Sequence, residues 1–163
     1  MINRELFKKA EETVSSLKAK GLTVATAESC TGGMIASQIV NVSGASEIFH
    51  AGFVTYANNA KEVYAGVLSE TLQTYGAVSS QVALEMARGV AKTAGADVGI
   101  SVTGIAGPGG GSTEKPVGLV YIGCHVCGKT DYKEFHFTGD RLTIRQKSAK
   151  EAIKFAMEML ESI

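Results

Sequence analysis

The stretch from Thr23 to Val40 limits the possible folds of this chain more than any other. Thr23-Val24-Ala25-Thr26-Ala27 reads as a short strand, and Met34-Ile35-Ala36-Ser37-Gln38-Ile39-Val40 reads as a helix. The joint between them, Glu28-Ser29-Cys30-Thr31-Gly32-Gly33, carries hydroxyls, a thiol and two glycines. Such a joint sets Ser29, Cys30 and Thr31 beside the free backbone N–H groups of a helix N-terminus, which attract an anion or a developing oxyanion. Consecutive glycines also let a ligand approach the backbone closely. A tight turn without a ligand uses the same residues, so the stretch alone leaves its function open.

The rest of the chain repeats this alternation of strand and helix. Leu6, Ala10, Val14 and Leu17 form one stripe of a helix over residues 3–20, which Gly21 closes. Ile48 to Tyr56 is rich in β-formers. Asn58 or Asn59 then caps a helix that carries Lys61 in its first turn. Residues 69–75 form a short helix stopped by Gly76, and Ser79 or Ser80 caps a longer one that ends at Gly95. Val98, Ile100 and Val102 alternate along the next strand. Pro116 opens a strand through Cys124, which turns at Gly128-Lys129 into an antiparallel partner. Gly139-Asp140-Arg141 leads into a terminal helix. Strands joined through helices, plus one hairpin, predict a three-layer α/β/α sandwich with a mixed, mostly parallel sheet.

A length of 163 residues suits a single domain over 1–163. Sixteen basic residues balance sixteen acidic ones, which argues against nucleic acid as the main partner. No apolar run reaches the ~20 residues of a membrane span, so no membrane partner is expected. The charged start Met1-Ile2-Asn3-Arg4-Glu5 lacks the apolar region of a signal peptide, and the expected location is cytoplasmic. Cys124-His125-Val126-Cys127 has metal-ligand spacing, but no second Cys/His pair matches it, and no metal is expected.

Three features outside the joint carry chemistry. Gly104-Ile105-Ala106-Gly107-Pro108-Gly109-Gly110-Gly111-Ser112 cannot hold regular structure and suits wrapping a phosphate or ribose with backbone N–H groups. A disordered surface loop has the same composition. Arg141 and Arg145 lie one turn apart, where both can reach a phosphate or carboxylate, although an exposed pair at a helix start looks identical. Lys61 occupies a helix turn that repels cations, and a positive helix end together with burial favours the neutral amine. A solvated lysine is the competing reading.

A nucleophilic serine needs a base. His50, His125 and His136 all fall in strand-like segments, and Ala27 and Thr31 stand where a Gly-x-Ser-x-Gly elbow wants glycine. A lysine remains. If burial and positive neighbours lower its pKa toward the working pH, Lys61 can deprotonate Ser29, with Tyr56 bridging them or relaying a proton. Cys30 reads as a small packing residue beside the better nucleophile.

Ala27-Glu28-Ser29-Cys30-Thr31-Gly32-Gly33, Thr55-Tyr56-Ala57-Asn58-Asn59-Ala60-Lys61, Gly76-Ala77-Val78-Ser79 and Thr103-Gly104-Ile105-Ala106-Gly107-Pro108 resemble the CinA C-terminal domain family. Pro116-Val117-Gly118-Leu119-Val120 and Gly139-Asp140-Arg141 extend the resemblance over nearly the whole chain. The resemblance implies a three-layer α/β/α fold, homo-oligomers, no metal and no cofactor. It also implies a nicotinamide-nucleotide amidase, which converts nicotinamide mononucleotide and water to nicotinate mononucleotide and ammonia in NAD salvage.

By the same resemblance Ser29 is the nucleophile, Lys61 the general base, and Tyr56 and Thr103 the supporting polar groups. Arg141 or Arg145 helps to hold or activate the site. Ser46 is a further candidate hydroxyl, and Cys30, Thr31, Gly32, Gly33, Gly104 and Gly107 are expected against the nucleotide. Some relatives carry an extra N-terminal nucleotide-processing domain, so the expectation for this chain is the stand-alone form. Two alternatives stay open: a nucleotide-binding regulatory module without catalysis, and an amidase acting on another substrate.

Overall fold

The computed structural model describes residues 3–163; Met1 and Ile2, the first two residues of the charged N-terminal stretch, lie outside them. Helix α1 (Arg4–Lys20) starts where the Asn3 side chain accepts from the N–H groups of Glu5 and Leu6, and it ends at left-handed Gly21. Leu6, Ala10, Val14 and Leu17 are buried along it, as the spacing predicts. The chain continues through β1 (Val24–Glu28), α2 (Met34–Val40), a 3-10 turn at Ala45–Glu47, β2 (Phe49–Val54) and α3 (Asn58–Ala65). Helices α4 (Ser69–Tyr75) and α5 (Ser80–Ala94) lead to β3 (Val98–Gly104), the hairpin β4 (Leu119–Val126) and β5 (Lys129–His136), and finally α6 (Arg141–Glu161).

The five strands lie in the order β2-β1-β3-β4-β5. β1 pairs in parallel with both β2 and β3, while β4 is antiparallel to β3 and to β5. β4 alone therefore runs against the other four strands, which makes the sheet mixed with a mostly parallel direction. One core joins the sheet to α1, α2 and α6, and a second joins it to α3 and α5. These are the outer layers of an α/β/α sandwich, and β1, flanked by β2 and β3, is buried along its whole length.

Layer spacing is set by glycine. A Cβ at Gly99 would lie 1.9 Å from the Ala87 carbonyl oxygen, and one at Gly123 would lie 2.4 Å from that of Ala83. Helix α5 rests its backbone on β3 and β4 at these two points, closer than any side chain allows. The chain leaves β1 on one face through α2 and returns to β3 on the other through α5. The connections after β1 and β3 then diverge and open a crevice at the carboxyl ends of these strands, where open α/β sheets bind ligands.

Three boundaries differ from the sequence reading. Helix α3 begins at Asn58 with Ala57 in the capping position and no side-chain cap, so neither asparagine caps it. Strand β4 begins at Leu119, because Pro116 to Gly118 form a turn in which the Leu119 N–H donates to the Pro116 carbonyl. β2 stops at Val54, and the freed carbonyls of Thr55 and Tyr56 take up another task. Among the described residues no helix is long and apolar enough to cross a membrane.

Candidate active site

Ser29 follows the last residue of β1, with its N–H bonded to the Val102 carbonyl of β3 at 3.0 Å. The next strand over, β2, ends beside it and leads into α3. The Lys61 side chain runs back from α3 into the space between, where it is only 1 % exposed. Its Nζ donates to the carbonyl oxygens of Thr55 at 2.8 Å and Tyr56 at 3.2 Å, and lies 3.2 Å from Ser29 Oγ. Two fixed carbonyls thus leave one tetrahedral direction of the amine, and that direction points at the serine.

The charge state of this amine decides what it does. Burial pushes the Lys61 pKa below the ordinary lysine value. The opposing influence is a Cys30 thiolate, but burial pushes that thiol up to about 11, so near neutral pH it carries no charge. Cys30 is accordingly a poor nucleophile. A neutral Lys61 keeps two N–H bonds to the carbonyls and turns its lone pair to the Ser29 hydroxyl, which is the arrangement of a general base.

A cleft of about 240 Å³ opens in front of Ser29, lined by Cys30, Tyr56, Arg141 and the loop from Gly104 through Gly107 to Gly110. That is near the small end of ligand pockets, whose usual range is ~300–1,000 Å³. The glycine loop is held at both ends: Ile105 and Gly118 pair with Leu119 and Ile105, and the Lys115 ammonium donates to the Tyr75 carbonyl. It is an ordered wall, not a loose surface segment.

The two arginines divide the work that the sequence left undecided. Arg141 lines the cleft, donating to the Gly107 carbonyl at 2.8 Å and the Tyr56 hydroxyl at 3.0 Å. Arg145 instead braces the joint from behind, donating to the carbonyls of Cys30 at 2.9 Å and Thr31 at 3.1 Å. Tyr56 therefore acts on Lys61 through its carbonyl, while its phenol meets Arg141; it does not bridge lysine and serine through its hydroxyl.

Several expected positions fall outside the cleft. Thr103 is buried and its hydroxyl donates to the Ala77 carbonyl at 2.7 Å. Ser46 sits before β2, at the opposite end of the strands from Ser29, in a different depression with Val40, Val42 and Phe49. Thr31 is buried, Gly32 packs toward the Arg145 guanidinium, and Gly33 occupies the capping position of α2. None of these lines the space in front of Ser29. Cys124 is buried in β4 and Cys127 is exposed in the hairpin turn, and among the described residues no group of three metal-ligating side chains forms.

The N-terminus of α2 also differs from its expected role as an open anion site. Its N–H groups at Ile35 and Ala36 are taken by the Glu28 carboxylate, at 2.8 and 3.0 Å. The N–H groups of Cys30 and Thr31, next to the nucleophile position, make no hydrogen bond to another described residue. Sequence reasoning missed Glu28. Its only signal was an acidic residue closing an apolar strand that is buried throughout.

The profile of the CinA C-terminal domain matches residues 6–160. A CinA-like protein of Kosmotoga olearia is 53% identical over 150 residues, which are 92% of this chain and 36% of that protein. The chain thus spans about a third of the length of the curated relatives it matches. Among solved structures, the competence/damage inducible protein CihA of Agrobacterium tumefaciens superposes with TM-score 0.94 at 40% identity, covering 99% of this chain and 98% of that one. The competence damage-inducible protein A of Klebsiella pneumoniae superposes with TM-score 0.92 at 35% identity, covering 96% and 97%. By its sequence profile, its relatives and its fold, the chain belongs to the CinA C-terminal domain family.

Proposed function

We propose that this chain is a nicotinamide-nucleotide amidase that works through Ser29 and Lys61. The observation that carries the reading is the buried Lys61 amine, 3.2 Å from Ser29 Oγ and oriented by two backbone carbonyls. Ser29 Oγ attacks the carboxamide carbon of nicotinamide mononucleotide while Lys61 takes the hydroxyl proton. The oxyanion forms beside the backbone N–H of Cys30, the residue after Ser29 that lines the cleft. Lys61 then gives its proton to the amide nitrogen, the C–N bond breaks and ammonia leaves. Water attacks the acyl-serine, Lys61 accepts the water proton, and Ser29 regains its own as nicotinate mononucleotide departs.

The substrate class follows from what surrounds the nucleophile. The Gly104–Gly110 wall presents backbone to a flat ring and ribose. Arg141 spends two of its N–H donors on Gly107 and Tyr56 and keeps others for a phosphate. Thr103 and Ser46 support this site only from a distance, through the end of β3 and the start of β2. Three free thiols accord with a reducing, cytoplasmic setting. Val54 at the end of β2, Val63 and Tyr64 on α3 and Leu68 after it are about half exposed or more, apolar side chains suited to contact with a second copy of the chain.

Ammonia release from a panel of nicotinamide mononucleotide, nicotinamide riboside and nicotinamide tests the assignment. The mononucleotide is expected to be preferred by kcat/KM over both compounds that lack the phosphate. Equal turnover of the riboside would remove the phosphate from recognition and point to an amidase on another substrate. Tight binding of the mononucleotide without ammonia would favour a non-catalytic nucleotide module.

A further inference from the structure

We propose that Glu28 is a positioning residue for the nucleophile: its carboxylate clasps the start of α2 and the Thr31 hydroxyl, and so fixes the turn that carries Ser29. The proposal rests on reading Ser29 as the nucleophile, but not on which amide is cleaved.

Glu28 is the last residue of β1, immediately before Ser29, and is 1 % exposed. Its Oε1 accepts from Thr31 Oγ1 at 2.7 Å and from the Ile35 N–H at 2.8 Å, and its Oε2 accepts from the Ala36 N–H at 3.0 Å. Three donors converge on one buried carboxylate, which forms no salt bridge among the described residues. A helix start leaves N–H groups that the preceding side chain usually satisfies. Here the capping residue is Gly33, at φ 98°, which has no side chain to offer. Glu28 supplies the acceptor from across the turn.

The clasp has a catalytic consequence. Residues 29–34 form a loop closed at its base by the Glu28 bonds to Ile35 and Ala36. Arg145 holds the same loop through the carbonyls of Cys30 and Thr31, and the Ser29 N–H is tied to Val102. Held from three sides, the loop keeps Ser29 Oγ against Lys61. The clasp also fills the α2 N-terminus with a resident carboxylate, so a substrate phosphate is directed elsewhere, toward Arg141. Glutamine at position 28 keeps the size but turns one acceptor into a donor facing N–H or O–H donors. Aspartate keeps the charge but is one methylene too short to reach both N–H groups.

The test uses a fluorophosphonate, a serine reagent that carries no nucleotide: Ser29 Oγ bonds to phosphorus, fluoride leaves and Lys61 takes the proton. Labelling of Ser29 is followed by intact-protein mass spectrometry, beside kcat and KM for nicotinamide mononucleotide and a thermal melt. In Glu28→Gln and Glu28→Asp the labelling rate and kcat are expected to fall about 10- to 100-fold with KM within about twofold, the pattern of a misplaced nucleophile in a formed cleft. A folded Glu28→Gln with wild-type labelling and kcat would overturn the proposal. If the Glu28 variants do not fold, Thr31→Val, which removes one donor and leaves α2 capped, is expected to label severalfold more slowly, and Thr31→Ser to recover the rate. Equal rates in these two would overturn it. Wild-type labelling without ammonia release would end the amidase reading yet support the clasp if Glu28→Gln still slowed labelling. No labelling of wild-type Ser29 would end both.

Discussion

Lys61 is among the largest fully buried side chains of the molecule, and it is a cation by default. An amine held out of water without a carboxylate partner is costly in its charged form, and that cost is what lowers its pKa. Two consequences have definite signs. If Lys61 is the base, kcat/KM rises with pH through its lowered pKa, so the limb lies below that of an ordinary lysine at ~10.4. A pH–rate profile reads the limb directly. For stability, the unfolded chain binds the Lys61 proton at pH values where the folded chain has lost it, so stability rises with pH across that window. Lys61→Met removes the group. Its turnover is expected to fall about 10²–10⁴-fold, and its stability relative to wild type to decline as pH is raised from about 7 to 10 in urea titrations. Part of this was legible in the sequence: a lysine at a helix start, with no histidine free to act as base. Its burial was not, because burial depends on β2 ending at Val54 and turning the Thr55 and Tyr56 carbonyls inward. Arg141 and Arg145, one turn apart, differ only in what stands opposite each, which no spacing rule reports.

At the level of elements, Gly21, Gly95 and Ser79 were readable as caps, whereas the asparagine cap expected for α3 is not found and those at Asn3 and Asp140 were not read. Asn3, Ser79 and Asp140 each accept from a first-turn N–H, and Gly21 and Gly95 close their helices in the left-handed region. The α2 cap was hidden because Glu28 reaches Ile35 and Ala36 across seven and eight residues, beyond any local capping pattern. The glycine loop after β3 was equally ambiguous. Its order comes from Ile105 pairing with Leu119 of β4, Gly118 with Ile105, and Lys115 with Tyr75 of α4, contacts that composition does not encode. The close seating of α5 is the element contact most open to test. Gly99→Ala drives a methyl into the Ala87 carbonyl, and overpacking of this kind is expected to destabilise by about 1–3 kcal/mol. Urea unfolding would record it as a lower midpoint at unchanged slope. A midpoint equal to wild type would mean that α5 has slack against β3.

Across the whole molecule, the alternation of strand and helix correctly placed three layers and a mixed sheet, since few topologies satisfy such a pattern. The pattern also put a nucleophile candidate after β1, a base after β2 and a ligand wall after β3, all at the carboxyl ends of their strands. Ser46 and Thr103 stand apart from the cleft in front of Ser29. Ser46 precedes its strand and so lies at the opposite end of the strands, and Thr103 turns its hydroxyl to the Ala77 carbonyl. The exposed apolar side chains of Val54, Val63, Tyr64 and Leu68 motivate the proposed association. Light scattering is expected to give a multiple of the 17.0 kDa chain mass, reduced to one chain by Val63→Lys with Leu68→Lys. A wild-type mass of one chain would contradict the oligomer.

The central claim is amide hydrolysis by Ser29 with Lys61 as its base. The most direct measurement is ammonia release from nicotinamide mononucleotide by wild type and by Ser29→Ala, prepared side by side. The account predicts steady turnover in the wild type and near-complete loss in the folded variant. A folded Ser29→Ala that releases ammonia at the wild-type rate would contradict it.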